Sequence, residues 1–465
     1  MTFHQRARRR LAHTALPVAF ACVLMTAQAR AQMVDTSASS QRPYRALFGG
    51  AVEGIRGNQS LIVSAAGFGG YDDDIFARGS NPNVGQPRVA GTFIGSQASM
   101  AYQRKFQSMT LAASGATANR YVTDSGDFVT TFSAANVSLS GTASARTTWQ
   151  LQQSVGYRPF FTPSVYPPTS AVGPAVGGTP EFSGGFDDPD VAIPDDYTIA
   201  SDRNGIRLMT LGQLNRQITK RQHLNVRGRY GNTDFGSQDL DSVENNRMMA
   251  GVGYAYDVSR YLQAQVGYAY RTYNTTAEGV SAIHNINIGV NFNRPFVMGG
   301  GQTVLTVTPG TVLVNREQLN DGDQDAGKFR LRVVGTATLT HTFSRTWQGS
   351  VSYLHSVGFI DGFVEPVEGD RVVAALGGLL APALDLSMTA GYTSGAIGMR
   401  ERNFDSALAS VRLRLALHTN AALFAQTFYY HYSYDEGVGD QVLAAPEMRR
   451  LGFRAGLNIW LPILR

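Results

Sequence analysis

The chain has one cysteine, three tryptophans and only 16% charged side chains in 465 residues. It also lacks long apolar runs. The longest stretch without a polar or charged side chain, Val372 to Leu384, is 13 residues. A spanning helix needs about 20, so helical membrane crossings are excluded. The low charge fraction argues against a coiled coil or a disordered chain. The single cysteine, Cys22, lies in a segment that reads as a secretory signal peptide. Arg6 to Arg10 form its basic end, Leu16 to Met25 its apolar core, and Ala29-Arg30-Ala31 its small-residue cleavage site. Once residues 1–31 are removed no thiol remains, which excludes disulfides, cysteine–metal sites and thiol chemistry. The leader also carries five arginines and no acid, so its loss takes Lys+Arg from 40 to 35, against 35 Asp+Glu. The basic balance belongs to the leader, and nothing points to nucleic acid.

What the rest of the chain has is alternation. Leu451, Phe453, Ala455, Leu457, Ile459 and Leu461 occupy one face of a strand; Arg450, Gly452, Arg454, Gly456 and Asn458 occupy the other. Ala409, Val411, Leu413, Leu415 and Leu417 oppose Ser410, Arg412, Arg414 and His418, and Ile286, Ile288, Val290 and Phe292 oppose Asn285, Asn287, Asn291 and Asn293. Successive side chains of a strand point to opposite faces, so each such segment has an apolar and a polar wall. Eighteen segments qualify, from 61–71 through 222–235, 347–361 and 384–398 to 447–463. Residues 32–60, rich in Ser, Ala, Gln and then Gly, read as a flexible segment leading into the first strand.

A soluble sandwich alternates in the same way, so the connections decide. Links after even-numbered strands are tight in most cases, as at Ser144-Ala145-Arg146, Thr219-Lys220-Arg221 and Ser259-Arg260. Links after odd-numbered strands are longer, and one runs from about 162 to 204. Every acid except Asp35, Glu53, Asp257 and Asp385 lies in the long connections or their rims. A sandwich has no reason for that asymmetry; a transmembrane barrel has. Trp149, Trp347 and Trp460 fall near the short-turn end, as one half of an interfacial aromatic girdle, with Tyr268, Tyr270, Tyr430, Tyr432 and Tyr434 as candidates for the other half.

On these features the chain resembles a Gram-negative outer-membrane β-barrel of the porin-like class over about residues 60–465. The resemblance implies an all-β, closed antiparallel transmembrane barrel of about 18 strands, with 16 as the alternative. It implies an outer-membrane location, with lipid, lipopolysaccharide and the barrel-assembly machinery as partners. The terminal Trp460-Leu461-Pro462-Ile463-Leu464-Arg465 departs from the aromatic last residue common in such chains. Barrels of this size also resemble those that serve exopolysaccharide export, which would add export partners.

The polar faces are expected to line the interior: Arg227, Arg229, Gln263, Gln265, Arg271, Arg330, Arg332, Arg412, Arg414 and Arg454, with a threonine row at Thr336, Thr338, Thr340 and Thr342. Such a wall favours anions, unless acids of an infolded loop pair with it. The acidic loops offer Asp187, Asp188, Asp190, Asp195 and Asp196, and Asp321, Asp323 and Asp325. Clustered carboxylates suit Ca2+, although the second group lacks the downstream glutamate of a calcium loop. No other cofactor is expected. His431 with Asp435 is the best pair for hydrolysis, but no serine motif accompanies it. Two readings remain open: a pore for small or anionic solutes or acidic polysaccharide, not an enzyme, and a structural or adhesive surface barrel whose acidic loops bind cations or partners.

Overall fold

In the computed structural model, the described residues are 58–75, 90–123, 128–159, 204–236, 244–275, 279–298, 301–315, 329–344, 346–358, 367–397, 402–434 and 447–464. They form eighteen strands: β1 (Gln59–Asp72), β2 (Gly91–Lys105), β3 (Met109–Val122), β4 (Phe128–Ser144), β5 (Thr147–Pro159), β6 (Asn204–Thr219), β7 (Gln222–Gly236), β8 (Glu244–Ser259), β9 (Leu262–Thr275), β10 (Gly279–Met298), β11 (Gly301–Asn315), β12 (Phe329–Thr342), β13 (Gln348–Gly358), β14 (Val367–Ala381), β15 (Leu384–Ile397), β16 (Arg402–His418), β17 (Ala421–Tyr434) and β18 (Glu447–Leu464). Each strand pairs antiparallel with its sequence neighbours, and β1 pairs with β18, so the sheet closes on itself. The proposed leader and the acidic positions Asp187, Asp188, Asp190, Asp195, Asp196, Asp321, Asp323 and Asp325 lie outside the described residues.

Alternation sets the two walls. On β7 the outward side chains include Leu224, Val226 and Tyr230, and register carries the alternation to Val252 on β8 and Val266 and Tyr268 on β9. The same outward face holds Ile286 and Ile288 on β10, Leu413 and Leu415 on β16, and Leu451, Phe453, Leu457 and Ile459 on β18. Register is strongly specified because a one-residue slip exchanges the walls. It would place Arg227 and Arg229 outside, at roughly 2–4 kcal/mol each if that surface met mid-bilayer lipid.

Two expectations about aromatics are corrected. Tyr430 and Tyr432 share the even-numbered face of β17 with Phe424 and Phe428; they point inward and are buried. Trp460 shares the inward face of β18 with Arg450 and Arg454 and packs on Ala422. Toward the long-loop end, the outward tyrosines carry polar caps instead. The Tyr353 hydroxyl donates to Asp370 at 2.5 Å, Tyr392 to Asp405 at 2.6 Å and Tyr230 to Asn246 at 3.2 Å. Each has an apolar ring and a hydrogen-bonded tip, the amphipathic form an interface takes.

One seam is thin. β12 pairs with β13 only from Gly335↔His355 to Thr342↔Gln348. Above Gly335, β12 continues with β11 alone, and β13 with β14. Val357 packs with Val334, Val312 and Tyr273 at this point. Of the expected strand 347–361 the described part is Gln348–Gly358.

Closure is reinforced by an ion cluster. Asp72, at the end of β1, accepts from Arg450 Nε of β18 at 2.8 Å and from its Nη2, and from Arg120 Nη1 of β3 at 3.3 Å. All three side chains are at least 97% buried. Removing one member of a buried cluster leaves charge without compensation, at about 3–5 kcal/mol. Asp72→Asn should therefore lower the urea midpoint of the refolded barrel, measured by tryptophan fluorescence. Asp257→Asn, at a partly exposed pair, should change it by less than about 1 kcal/mol. Equal effects would mean that the cluster does not hold the seam.

Candidate functional site

The interior is built by the inward residue of each alternating pair. β7 contributes Arg227 and Arg229, β9 Gln263, Gln265 and Arg271, β16 Arg412 and Arg414, and β18 Arg454, each on the face opposite its apolar neighbours. Arg330 has its backbone place in β12. Arg332 has inward register, but its Nε donates to Glu368 of β14 at 3.0 Å, beside the thin seam. It is therefore tied to the wall rather than presented to an open lumen. Arg120, Arg247, Arg371 and Arg450 also sit on the inward face and are absent from the sequence-based set. Most of that set came from paired or clustered polar positions. Three of these four are isolated arginines, whose face only the register reveals.

The two sides of the lumen differ. On the side of β16–β18 and β1–β3 the wall is packed. Phe68, Phe93 and Phe424 form a buried cluster with Ile75 and Val122. Guanidinium groups lie over these rings: Arg120 at 3.9 Å from the Phe93 centroid, Arg412 at 4.9 Å from Phe424, and Arg454 at 5.1 Å from Phe68. Cations over aromatic faces gain roughly 0.5–2 kcal/mol, more when desolvated. Arg454 also donates to Gln426 Oε1 at 2.9 Å. Gly452 is required here, because a Cβ would lie 2.2 Å from the Phe428 ring.

On the opposite side, β5–β9 enclose a recess of about 320 Å³. Gly253 and Gly267 lie side by side in register and form its floor. Nothing lies within 4 Å of a Cβ built on Gly253. The polar rim includes Asn215, His223, Asn225, Arg227 and Gln265. Asn225 donates to Asn215 at 2.5 Å. His223 Nε2 lies 2.9 Å from Asp257, which also accepts from Gln263 at 2.7 Å.

Among the described residues, three strand carboxylates turn inward: Asp72, Asp257 and Asp385. Asp72 is matched by two arginines, and Asp385 accepts from Arg414 Nε at 2.9 Å and from its Nη2. The charge of Arg414 is thus met by Asp385, one of the acids that the sequence leaves outside the long connections. The arginines of the wall still outnumber its acids. This arrangement can concentrate and guide anions. His431 is on the outward face, and its Nδ1 lies 3.1 Å from the Met448 carbonyl; Asp435 lies outside the described residues. No group of three or more metal-ligating side chains occurs among the described residues.

No family model matches the chain, and no curated protein matches it. Solved structures similar to it include Pseudomonas aeruginosa OccK8 (OprE), at 11% identity and TM-score 0.40, covering 87% of this chain and 98% of that one. P. aeruginosa OccK2 (OpdF) gives 8% identity and TM-score 0.44, covering 88% and 98%. The outer membrane protein OprD from P. aeruginosa gives 11% identity and TM-score 0.39, covering 89% and 96%.

The recess supplies a direct check on which wall faces water. Gly253→Leu adds a side chain where space is open, so the barrel should fold with an unchanged unfolding midpoint while single-channel conductance falls. Gly452→Leu should destabilise the fold because of Phe428. Unchanged conductance in folded Gly253→Leu would place the recess outside the conducting path.

Proposed function

We propose that the chain is an outer-membrane channel that passes small anionic solutes. The observation that carries this reading is the sorting of charge between the two walls of a closed sheet. Arginines occupy the inward face of strands whose outward face is apolar. A surface of that kind is stable in lipid. Eighteen strands enclose an interior in the size range that admits water. The packed side at β16–β18 and β1–β3 narrows the path and leaves passage nearer the β5–β9 recess. The long, acid-bearing connections face outside and the tight turns face the periplasm. Nothing in the fold speaks for acidic polysaccharide, and the reading is confined to small solutes.

Fixed positive charge in a low-dielectric tube raises the local anion concentration, and salt screens it over a Debye length of about 10 Å at 0.1 M. In planar bilayers under a KCl gradient the reversal potential should have the sign of chloride selectivity, fading toward 1 M. Arg227→Gln/Arg229→Gln/Arg412→Gln should lower the chloride-to-potassium permeability ratio by roughly an order of magnitude. The folded band on unheated electrophoresis should persist. Cation selectivity of the unaltered protein, or a triple variant with unchanged selectivity, would defeat the reading.

A further inference from the structure

The turn end of the barrel carries a second set of cations that the channel does not use. On β2, β6 and β10, Arg104, Arg216 and Arg294 fall on the outward face at the strand ends nearest the tight turns, and all three are exposed. Arg146, Arg221 and Arg260 stand in the turns themselves. At this end the strand carboxylates are Asp257 and Asp385, and both are turned inward and engaged, with His223 and Gln263 and with Arg414.

One outward cation and one turn cation lie against the same ring. Arg260, in the β8–β9 turn, has its guanidinium carbon 4.5 Å from the centroid of the Tyr261 ring. Arg294, near the lower end of β10, lies 6.0 Å from the same ring. The strands are held there by Asn293 N donating to the Tyr261 carbonyl at 2.9 Å. Two guanidinium groups thus share one ring, and no described carboxylate at this end is left to offset their charge. Beside them the outward face is apolar, with Val258, Leu262, Phe292 and Phe296. The combination is a paired cation above a lipid-facing apolar patch.

We infer that Arg260, Tyr261 and Arg294 form a clamp for the phosphate of an anionic phospholipid in the periplasmic leaflet. The guanidinium forks match phosphate oxygens in geometry and charge. The acyl chains then lie along Val258, Leu262 and Phe292. The clamp rests on the outer-membrane reading, since only in that setting does this end of the barrel meet phospholipid headgroups. A basic side chain near an anionic lipid surface contributes roughly a fivefold gain in binding, so two give a gain of about 25-fold over a zwitterionic lipid.

The test uses the full barrel in dodecyl maltoside, titrated with dioleoylphosphatidylglycerol or dioleoylphosphatidylcholine and read by native mass spectrometry. The unaltered protein should bind one phosphatidylglycerol about 25-fold more tightly than phosphatidylcholine. Arg260→Gln/Arg294→Gln should reduce that preference to near unity, Arg260→Lys/Arg294→Lys should keep most of it, and Arg146→Gln/Arg221→Gln should leave it intact. Folding of each variant is checked by unheated electrophoresis; if the double glutamine variant does not fold, Arg294→Gln alone should lose about fivefold. Equal binding of the two lipids, retention of the preference in folded glutamine variants, or equal loss in Arg146→Gln/Arg221→Gln would overturn the clamp. Displacement of the lipid by about 10 mM inorganic phosphate would overturn it in favour of a free-ion site. Failure of the unaltered barrel to insert into phosphatidylcholine vesicles is a separate result, which removes the outer-membrane reading itself and the clamp with it.

Discussion

The structure depends on one requirement: each strand must find a hydrogen-bonding partner on both sides. An open edge facing lipid would leave backbone N–H and C=O groups unsatisfied, at several kcal/mol for each group. The pairing of β1 with β18 meets that requirement across the full circuit of the chain. Asp72 holds the same seam from the inside by joining Arg450 and Arg120, so β18 shares one buried carboxylate with β1 and β3 once the sheet closes. The cluster costs desolvation and specifies register. A β18 displaced by one residue turns Arg450 to the outward face, away from Asp72.

Closure then turns a local alternation into a separation of space. With the apolar face outward, the polar face has nowhere to go but the interior, and the arginines go with it. Packing divides that interior. Phenylalanines laid across glycines, with cations above them, fill the wall near the seam, while small residues on β8 and β9 leave the opposite wall recessed. Charge and shape together set the off-centre course of the anion path proposed above. The outward arginines at the turn end lie at the edge of the apolar outer face, where the proposed clamp would meet lipid headgroups.

Much of this was legible in the sequence because alternation is a local property. The strand read as 222–235 is Gln222–Gly236, and 384–398 is Leu384–Ile397. Arg227, Arg229 and Arg412 were placed inward from their neighbours alone. Tyr430, Tyr432 and Trp460 were misplaced although their parity was available: Leu423 and Leu457 face outward, so the even-numbered positions on those strands face inward. Aromatic type was allowed to outweigh position. The Asp72 cluster was not legible, because it joins residues 378 apart in the chain and exists only after closure. The glycine floor needed the register of β8 against β9. The pairing of Arg332 with Glu368 needed the early end of the β12–β13 ladder.

The central claim is that one wall of each strand faces water and the other faces lipid, and β7 offers the most direct measurement. Single cysteines are placed in turn at Val226, Arg227, Gly228 and Arg229 in a protein lacking Cys22 and are treated in a bilayer with a membrane-impermeant, water-soluble thiol reagent while current is recorded. The account predicts that positions 227 and 229 react and alter conductance, whereas 226 and 228 do not. Reaction at 226 and 228 instead, or uniform reaction at all four, would contradict it.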